Sequence, residues 1–182
     1  WNNFGPVLKE GLYEQNDHHE KILPLIRFEN SMNDNKISLE EYIKIMAKDQ
    51  KEIYYFANTD KEHIKNSPQL EVFLDKKIPV LFMVDAVDEF WIQNANKFKD
   101  LEFKSITKGK VDLSKVGEIN KENKSNDKKI DSKINDLINI LKTELKETIS
   151  DVIVSKRLTK SPILLVAEEA GMDINMEKLM KM

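Results

Sequence analysis

The sequence predicts an α/β fold, α+β overall: a small three-layer α/β/α unit, entered from a helical connector and followed by a linker and a partial α+β second domain. Three observations predict it. Apolar runs at 53–57 (IYYFA) and 80–84 (VLFMV), with a weaker strand pattern at 103–107 (FKSIT), alternate with helix-compatible segments. That order is βαβαβ, and right-handed crossovers place its helices on both faces of a parallel sheet. The second run is continuously apolar, as expected of a strand covered on both sides. Finally, residues 117–129 are rich in Lys, Asn, Glu, Ser and Asp, with Ile119 their one apolar residue. Such a stretch cannot bury enough surface to offset its ordering entropy and reads as a linker.

In chain order, residues 4–29 read as helix with an interruption. Gly5, Pro6 and Gly11 break the first part, and Ile22, Leu23, Leu25, Ile26 and Phe28 then supply an apolar face, with Asp17 as a helix start. Pro24 fits if this helix begins late and the proline lies in its first turn. Residues 30–36 (NSMNDNK) are loop-like. Ser38 and Glu41 form a capping box, each satisfying the other's backbone amide, ahead of Leu39, Tyr42, Ile43 and Met46 at helical spacing. After the first strand, residues 58–60 make a turn, a helix covers about 60–65, and another begins at Ser67-Pro68, serine as cap and proline at the first position. Leu70, Phe73 and Leu74 form its buried face. Residues 85–98 start helical. Beyond the linker, Ile134, Leu137, Ile138, Leu141, Leu145 and Ile149 step by three and four, predicting a helix over 131–149. Residues 152–154 and 163–167 are strand-like. A last helix, capped by Asp173, carries Met172, Met176, Leu179 and Met180 on one face. The expected organisation is a connector at 1–50, the α/β/α unit at 51–115, the linker at 116–130 and a truncated domain start at 131–182.

Composition narrows the function classes. The 182 residues are 40% hydrophobic and 34% charged with net charge −3, so a core can form but no global basic footprint marks a nucleic-acid binder. Cysteine is absent, which excludes disulfide scaffolds and thiolate chemistry and fits a reducing, cytoplasmic setting. The longest apolar runs are too short to cross a bilayer. The chain opens in mid-pattern without an initiator methionine and reads as a piece of a longer protein.

Motifs for chemistry are sparse. The five glycines form no G-x-G-x-x-G or phosphate loop, and there is no G-x-S-x-G or H-E-x-x-H. His18 and His19 are adjacent, point about 100° apart on a helix and do not converge on one ion. Asp85, Asp88 and Glu89 sit at the carboxyl end of the second strand, where α/β sheets bind ligands. Their ordinary role is that of acids favoured at a helix start. An alternative function, a small ligand-binding or enzyme domain built on these three carboxylates, predicts a concave pocket and perturbed carboxyls there. Phe90 and Trp91 are neighbours and cannot both face the core, so one of them is at least partly exposed. The methionine stripe reads either as core or as an adaptable binding face. Lys156, Arg157 and Lys160 read as a solvated basic turn.

Together these blocks resemble a known family. Ser38-Leu39-Glu40-Glu41-Tyr42-Ile43, then Gln50-Lys51 before Ile53-Tyr54-Tyr55, are similar to a signature of the heat-shock protein 90 chaperones, whose bacterial members are called HtpG. Asn66-Ser67-Pro68-Gln69-Leu70-Glu71, Val87-Asp88-Glu89-Phe90-Trp91 and Phe103-Lys104-Ser105 with Val111-Asp112-Leu113 agree in order and spacing. So do Phe4-Gly5 with Leu8-Lys9-Glu10-Gly11, the block from Lys21 to Phe28, and Val154-Ser155-Lys156-Arg157-Leu158-Thr159-Lys160-Ser161-Pro162. The resemblance covers nearly everything except the linker, and departs from a common family choice at Ala86.

The resemblance implies that residues 1–115 correspond to the later middle domain and residues from about 131 to the start of the C-terminal dimerisation domain. It implies an ATP-driven chaperone of partly folded client proteins, homodimeric at full length. The ATP and magnesium site, and the catalytic arginine, would lie outside this chain. The fragment itself would then be non-enzymatic and monomeric, with no cofactor, metal, nucleic-acid or membrane partner. Clients would touch Glu89, Phe90 and Trp91, and Met176, Leu179 and Met180 of the last helix.

Overall fold

The computed structural model describes residues 1, 3–14, 18–109, 111, 113, 116, 132–155 and 157–181. By contacts the chain forms two units, residues 1–118 with 158–182, and residues 119–157. The expected helix start at Asp17 and most of the linker lie outside the described residues.

The first unit is built on a five-stranded mixed sheet. Its strands are β1 (Glu29–Asn30), β2 (Glu52–Ala57), β3 (Leu81–Met83), β4 (Lys97–Phe98) and β5 (Leu101–Ser105), arranged in the order β1-β3-β2-β5-β4. Central β2 is flanked in parallel by β3 and β5, and antiparallel β1 and β4 close the two edges. Side chains of a strand alternate between faces, and both faces are covered. Ile53, Tyr55, Ala57, Leu81 and Met83 join one core with Leu12, Leu23, Ile26, Phe28, Leu39, Tyr42 and Trp91. Tyr54, Phe56 and Phe82 join the other with Ile64, Leu70, Phe73, Ile78, Val80 and Ile106. The α/β/α layering is present, and the layer on the first face comes from residues 5–45, ahead of the 51–115 segment for which the layering was expected.

The first face carries α1 (Gly5–Glu10), α2 (His19–Ile22), a 3-10 turn over Leu23–Leu25 that accommodates Pro24, and α3 (Leu39–Ile45). The capping box is formed: Glu41 N–H donates to Ser38 Oγ (3.2 Å), and Ser38 N–H donates to Glu41 Oε2 (2.7 Å). The buried Tyr42 hydroxyl joins three segments, donating to the Pro79 carbonyl (2.7 Å) and accepting from Gln50 Nε2 (2.8 Å) and the Tyr54 amide (3.0 Å). On the second face lie α4 (Lys61–Lys65), capped by Asp60, a 3-10 turn over Pro68–Leu70 capped by Ser67, and α5 (Glu71–Asp75). Helix α5 ends in a Schellman arrangement, with Ile78 N–H on the Phe73 carbonyl, Lys77 N–H on the Leu74 carbonyl, and Lys77 in the left-handed region at φ 53°.

After β3, the helical start expected within residues 85–98 is one turn, α6 (Asp88–Trp91). The chain then turns back, and Lys97–Phe98 pair with Leu101–Glu102 across a tight turn whose Lys99 has φ 55°. Pairing with the sheet edge overrides helix continuation here.

Residues 158–182 belong to this unit, and three of the points that hold them stand out. The Glu71 carboxylate accepts the backbone N–H groups of Thr159 (3.0 Å), Lys160 (2.9 Å) and Ser161 (3.1 Å), and the Ser161 hydroxyl. These donors, the Ser161 hydroxyl foremost, hold the Glu71 carboxyl down to about 2. Ala167 bridges the end of β5 in parallel, donating to Thr107 O and accepting from Gly109 N–H, both at 2.9 Å. Gly109 has φ +57°, and a Cβ there would press on Glu169 at 3.1 Å. The third point is Asp173, which bonds to the end of β5 just before a last helix over Ile174–Met180. Strand character expected at 163–167 reduces to the single bridge at Ala167, because no other strand among the described residues lies alongside.

In the second unit, α7 (Ser132–Glu144) occupies most of the helix expected over 131–149, and Lys142 pairs with Asp151 at 2.6 Å. Ile134, Leu137 and Ile140 are exposed along it. Residues 152–154 form no strand. The helix Ile174–Met180 of the first unit is α8 in chain order.

Candidate docking groove

The site grows from α6. Four residues make little more than one turn, so successive side chains point about 100° apart. Asp88 and Trp91 point inward and are fully buried, Glu89 is 5% exposed, and Phe90 is 41% exposed. The sequence left open which aromatic faces solvent; it is Phe90. Trp91, expected at the contact surface, is a core residue instead. Its indole N–H donates to Asp88 Oδ1 at 2.7 Å, and its ring packs on Phe28 and Phe103 at centroid distances of 6.2 and 5.8 Å. A buried tryptophan needs a partner for its one donor, and Asp88, three residues earlier, supplies it.

Asp88 is itself paired. Lys9 of α1, buried, reaches Asp88 (2.9 Å) and Asp85 (2.8 Å), while Asp85 N–H donates to Asp88 Oδ2 (3.1 Å). Burial pushes the Asp88 carboxyl up; Lys9 pulls it back toward the charged form. Asp88 and Glu89 stand in the first turn of α6 as expected of helix-start acids, but Asp85 and Asp88 are also fold anchors, and the partner that makes them so, Lys9, gave no signal in its own sequence neighbourhood.

Glu89 faces the last segment. Its Oε1 accepts from Asn175 Nδ2 of α8 at 2.8 Å. Burial raises its carboxyl to about 7; the Asn175 bond opposes this, and the nearby charges of Asp173 and Asp88 reinforce it. Asp173, buried, accepts from Ser105 Oγ (2.7 Å) and Thr107 Oγ1 (2.5 Å) at the end of β5, and caps α8 at the Asn175 amide (3.4 Å). The Asp173 cap forms as the sequence predicts. Burial, then the charges of Asp173 and Glu89, push the Tyr55 phenol up.

These anchors bring two expected contact elements together. Met176 of α8 and Phe90 of α6, 86 positions apart in sequence, line one open groove of about 500 Å³ with Tyr13, Glu14, Gln93 and Asn94. Tyr13, 57% exposed, meets Phe90 edge-on at 6.3 Å and 86°. Asn94 Nδ2 donates to the Tyr13 carbonyl at 2.8 Å. The result is an open groove lined by two aromatic rings and a methionine together with Glu14, Gln93 and Asn94. Met180 is 68% exposed farther along α8, and the Leu179 side chain lies outside the described residues. Tyr13, Gln93 and Asn94 were not foreseen; Tyr13, an aromatic just beyond a glycine-broken helix, was the detectable one.

A second cavity, about 130 Å³, lies beside Asp85 among Lys9, Arg27, Phe28, Glu29 and Val84. It is below the size of organic-ligand pockets, and neither Asp88 nor Glu89 lines it. Among the described residues no three His, Asp or Glu side chains are arranged to hold a metal ion, and no helix is long and apolar enough to cross a membrane. The enzyme alternative is not favoured: Asp88 and Glu89 carry the raised carboxyls it predicts, but of the three acids only Asp85 lines this small cavity.

Comparison with known proteins gives a consistent answer. The family described as Hsp90 protein matches residues 1–182. Chaperone protein HtpG of Roseobacter denitrificans is 43% identical over 181 residues, covering 100% of this chain and 29% of that protein. Chaperone protein HtpG of Wolbachia pipientis is 38% identical over 187 residues with the same coverages. Among solved structures, the middle domain of a Plasmodium falciparum heat shock protein superposes with TM-score 0.55 at 36% identity, covering 59% of this chain and 46% of that one. The chain spans less than a third of the length of the curated relatives it matches.

Proposed function

The chain belongs to the Hsp90 protein family, and on that premise we propose that it is the client-contacting and domain-coupling part of an HtpG-like, ATP-driven chaperone. Partly folded proteins would lay apolar segments into the groove of Tyr13, Phe90 and Met176, with Met180 extending it. The observation that carries this reading is the convergence of an exposed phenylalanine and a methionine helix from distant parts of the chain on one apolar groove. Adaptable methionine and rigid aromatic side chains suit a surface that must take many sequences. Coupling is supported by the Glu71 clamp and the Asp173 network, which fasten residues 158–182 to the α/β layers. ATP and magnesium binding, homodimerisation and a cytoplasmic setting are proposed for the whole protein, with nucleotide chemistry outside these residues. A middle domain at 1–115 and a C-terminal domain from 131, joined by the linker at 116–130, are proposed in the same way, with residues 158–182 of the latter packed into the unit of residues 1–118.

The test is fluorescence anisotropy with labelled, reduced and carboxymethylated lactalbumin, a permanently unfolded protein. Phe90→Ala and Met176→Ala each weaken binding about tenfold, the scale of a truncated hot-spot residue. Unchanged affinity in both, with unfolding midpoints intact, overturns the groove.

A further inference from the structure

Among the described residues Lys9 is the only buried lysine or arginine. A buried ammonium loses its hydration, and its pairs seldom return more stability than an apolar residue of the same volume. The charge thus calls for a role beyond packing. Its geometry supplies one. Lys9 Nζ reaches Asp85 and Asp88 at 2.8 and 2.9 Å and lies 4.8 Å from the Phe28 ring centroid. The Asp88 carboxylate it holds also takes the Trp91 indole N–H (2.7 Å) and the Asp85 amide (3.1 Å). One carboxylate therefore sets the start of α6, the rotamer of Trp91 and the distance to α1. Phe90 lies between Asp88 and Trp91, so its direction follows from theirs. Tyr13 follows α1, and Asn94, just past α6, ties its carbonyl at 2.8 Å.

We propose that Lys9 is a positioning residue for the groove: its buried ion pairs hold α1 against α6 so that Tyr13 and Phe90 stand at right angles as one wall. The assignment rests on the groove being the client surface. Pre-forming that wall removes an ordering cost from each binding event.

The test separates position from stability. Lys9→Met leaves two carboxylates without their buried cation and lowers the unfolding midpoint. Lys9→Met with Asp88→Asn removes the fully buried stranded charge and leaves only that of Asp85, whose side chain reaches water, while the introduced side-chain oxygen can still accept from the Trp91 indole, so most of the midpoint recovers. In this double variant of the 182-residue chain, binding of the carboxymethylated lactalbumin stays about tenfold weak. The nuclear Overhauser contact between the Tyr13 and Phe90 rings is lost, and the Trp91 indole N–H resonance is retained. Binding that recovers with the midpoint overturns the proposal, as does wild-type affinity in Lys9→Met. Phe90→Ala measured alongside tells the two failures apart. If it binds normally, the groove reading fails, and the ring–ring contact alone then judges Lys9: its persistence in the double variant overturns the proposal without any bound protein.

Discussion

Replacing Glu89 by glutamine should change the pH dependence of stability more than stability itself. Glu89 is 5% exposed, held by Asn175, and beside the charges of Asp173 and Asp88, with Lys108 the opposing cation. Its carboxyl sits at about 7 against an ordinary 4.5. The folded chain therefore keeps a proton that the unfolded chain releases. The stabilisation is fully present below about pH 4.5 and is lost as pH rises through about 7. At about 1.36 kcal/mol per decade, the displacement is worth about 3 kcal/mol as an upper bound. Glutamine keeps the shape and can still accept from Asn175, but carries no charge at any pH. The glutamine variant should match the native chain in acid and exceed it at pH 8 by up to about 3 kcal/mol, the gap opening between about pH 5 and 7. Urea unfolding followed by tryptophan fluorescence at several pH values measures this. A gap that is constant across that range refutes the reasoning. The cheapest way to rehydrate an ionised Glu89 is to lift α8, so α8 amides should also exchange faster above about pH 7 than base catalysis alone requires.

Three further outcomes follow from single contacts. Lys77→Gly relieves a left-handed lysine at the end of α5 and should raise stability by about 0.5–1 kcal/mol in the same urea assay. Tyr42→Phe removes the shared partner of Pro79, Gln50 and Tyr54 and should cost about 2–3 kcal/mol with no change in the urea slope. Ser38→Ala opens the capping box of α3 and should cost about 1 kcal/mol, with Ser38→Asp recovering most of it.

What the sequence showed and hid follows from how far each feature reaches. The capping box of α3, the caps at Ser67 and Asp173, and the strands β2 and β3 are local or period-two signals, and they stand where they were read. Where α6 ends was not legible, because Asn94 to Phe98 carry no helix breaker; pairing with β5 turns the chain back. Lys9 was invisible because a lysine ordinarily faces water and its partners lie 76 and 79 positions away. The choice between Phe90 and Trp91 could not be made locally either. It was decided by an indole N–H needing an acceptor, which Asp88 offers inside the core.

The hold of Glu71 on residues 159–161 falls mainly on main-chain amides. Such a grip does not read the side chain of Lys160 and takes only a long bond from the Thr159 hydroxyl (3.4 Å), so this turn can drift in sequence without coming loose. The burden falls on one carboxylate at the start of α5. A deep substitution scan should therefore show near-silence at 159 and 160 and strong intolerance at 71, an imbalance that neither position's exposure alone would foretell.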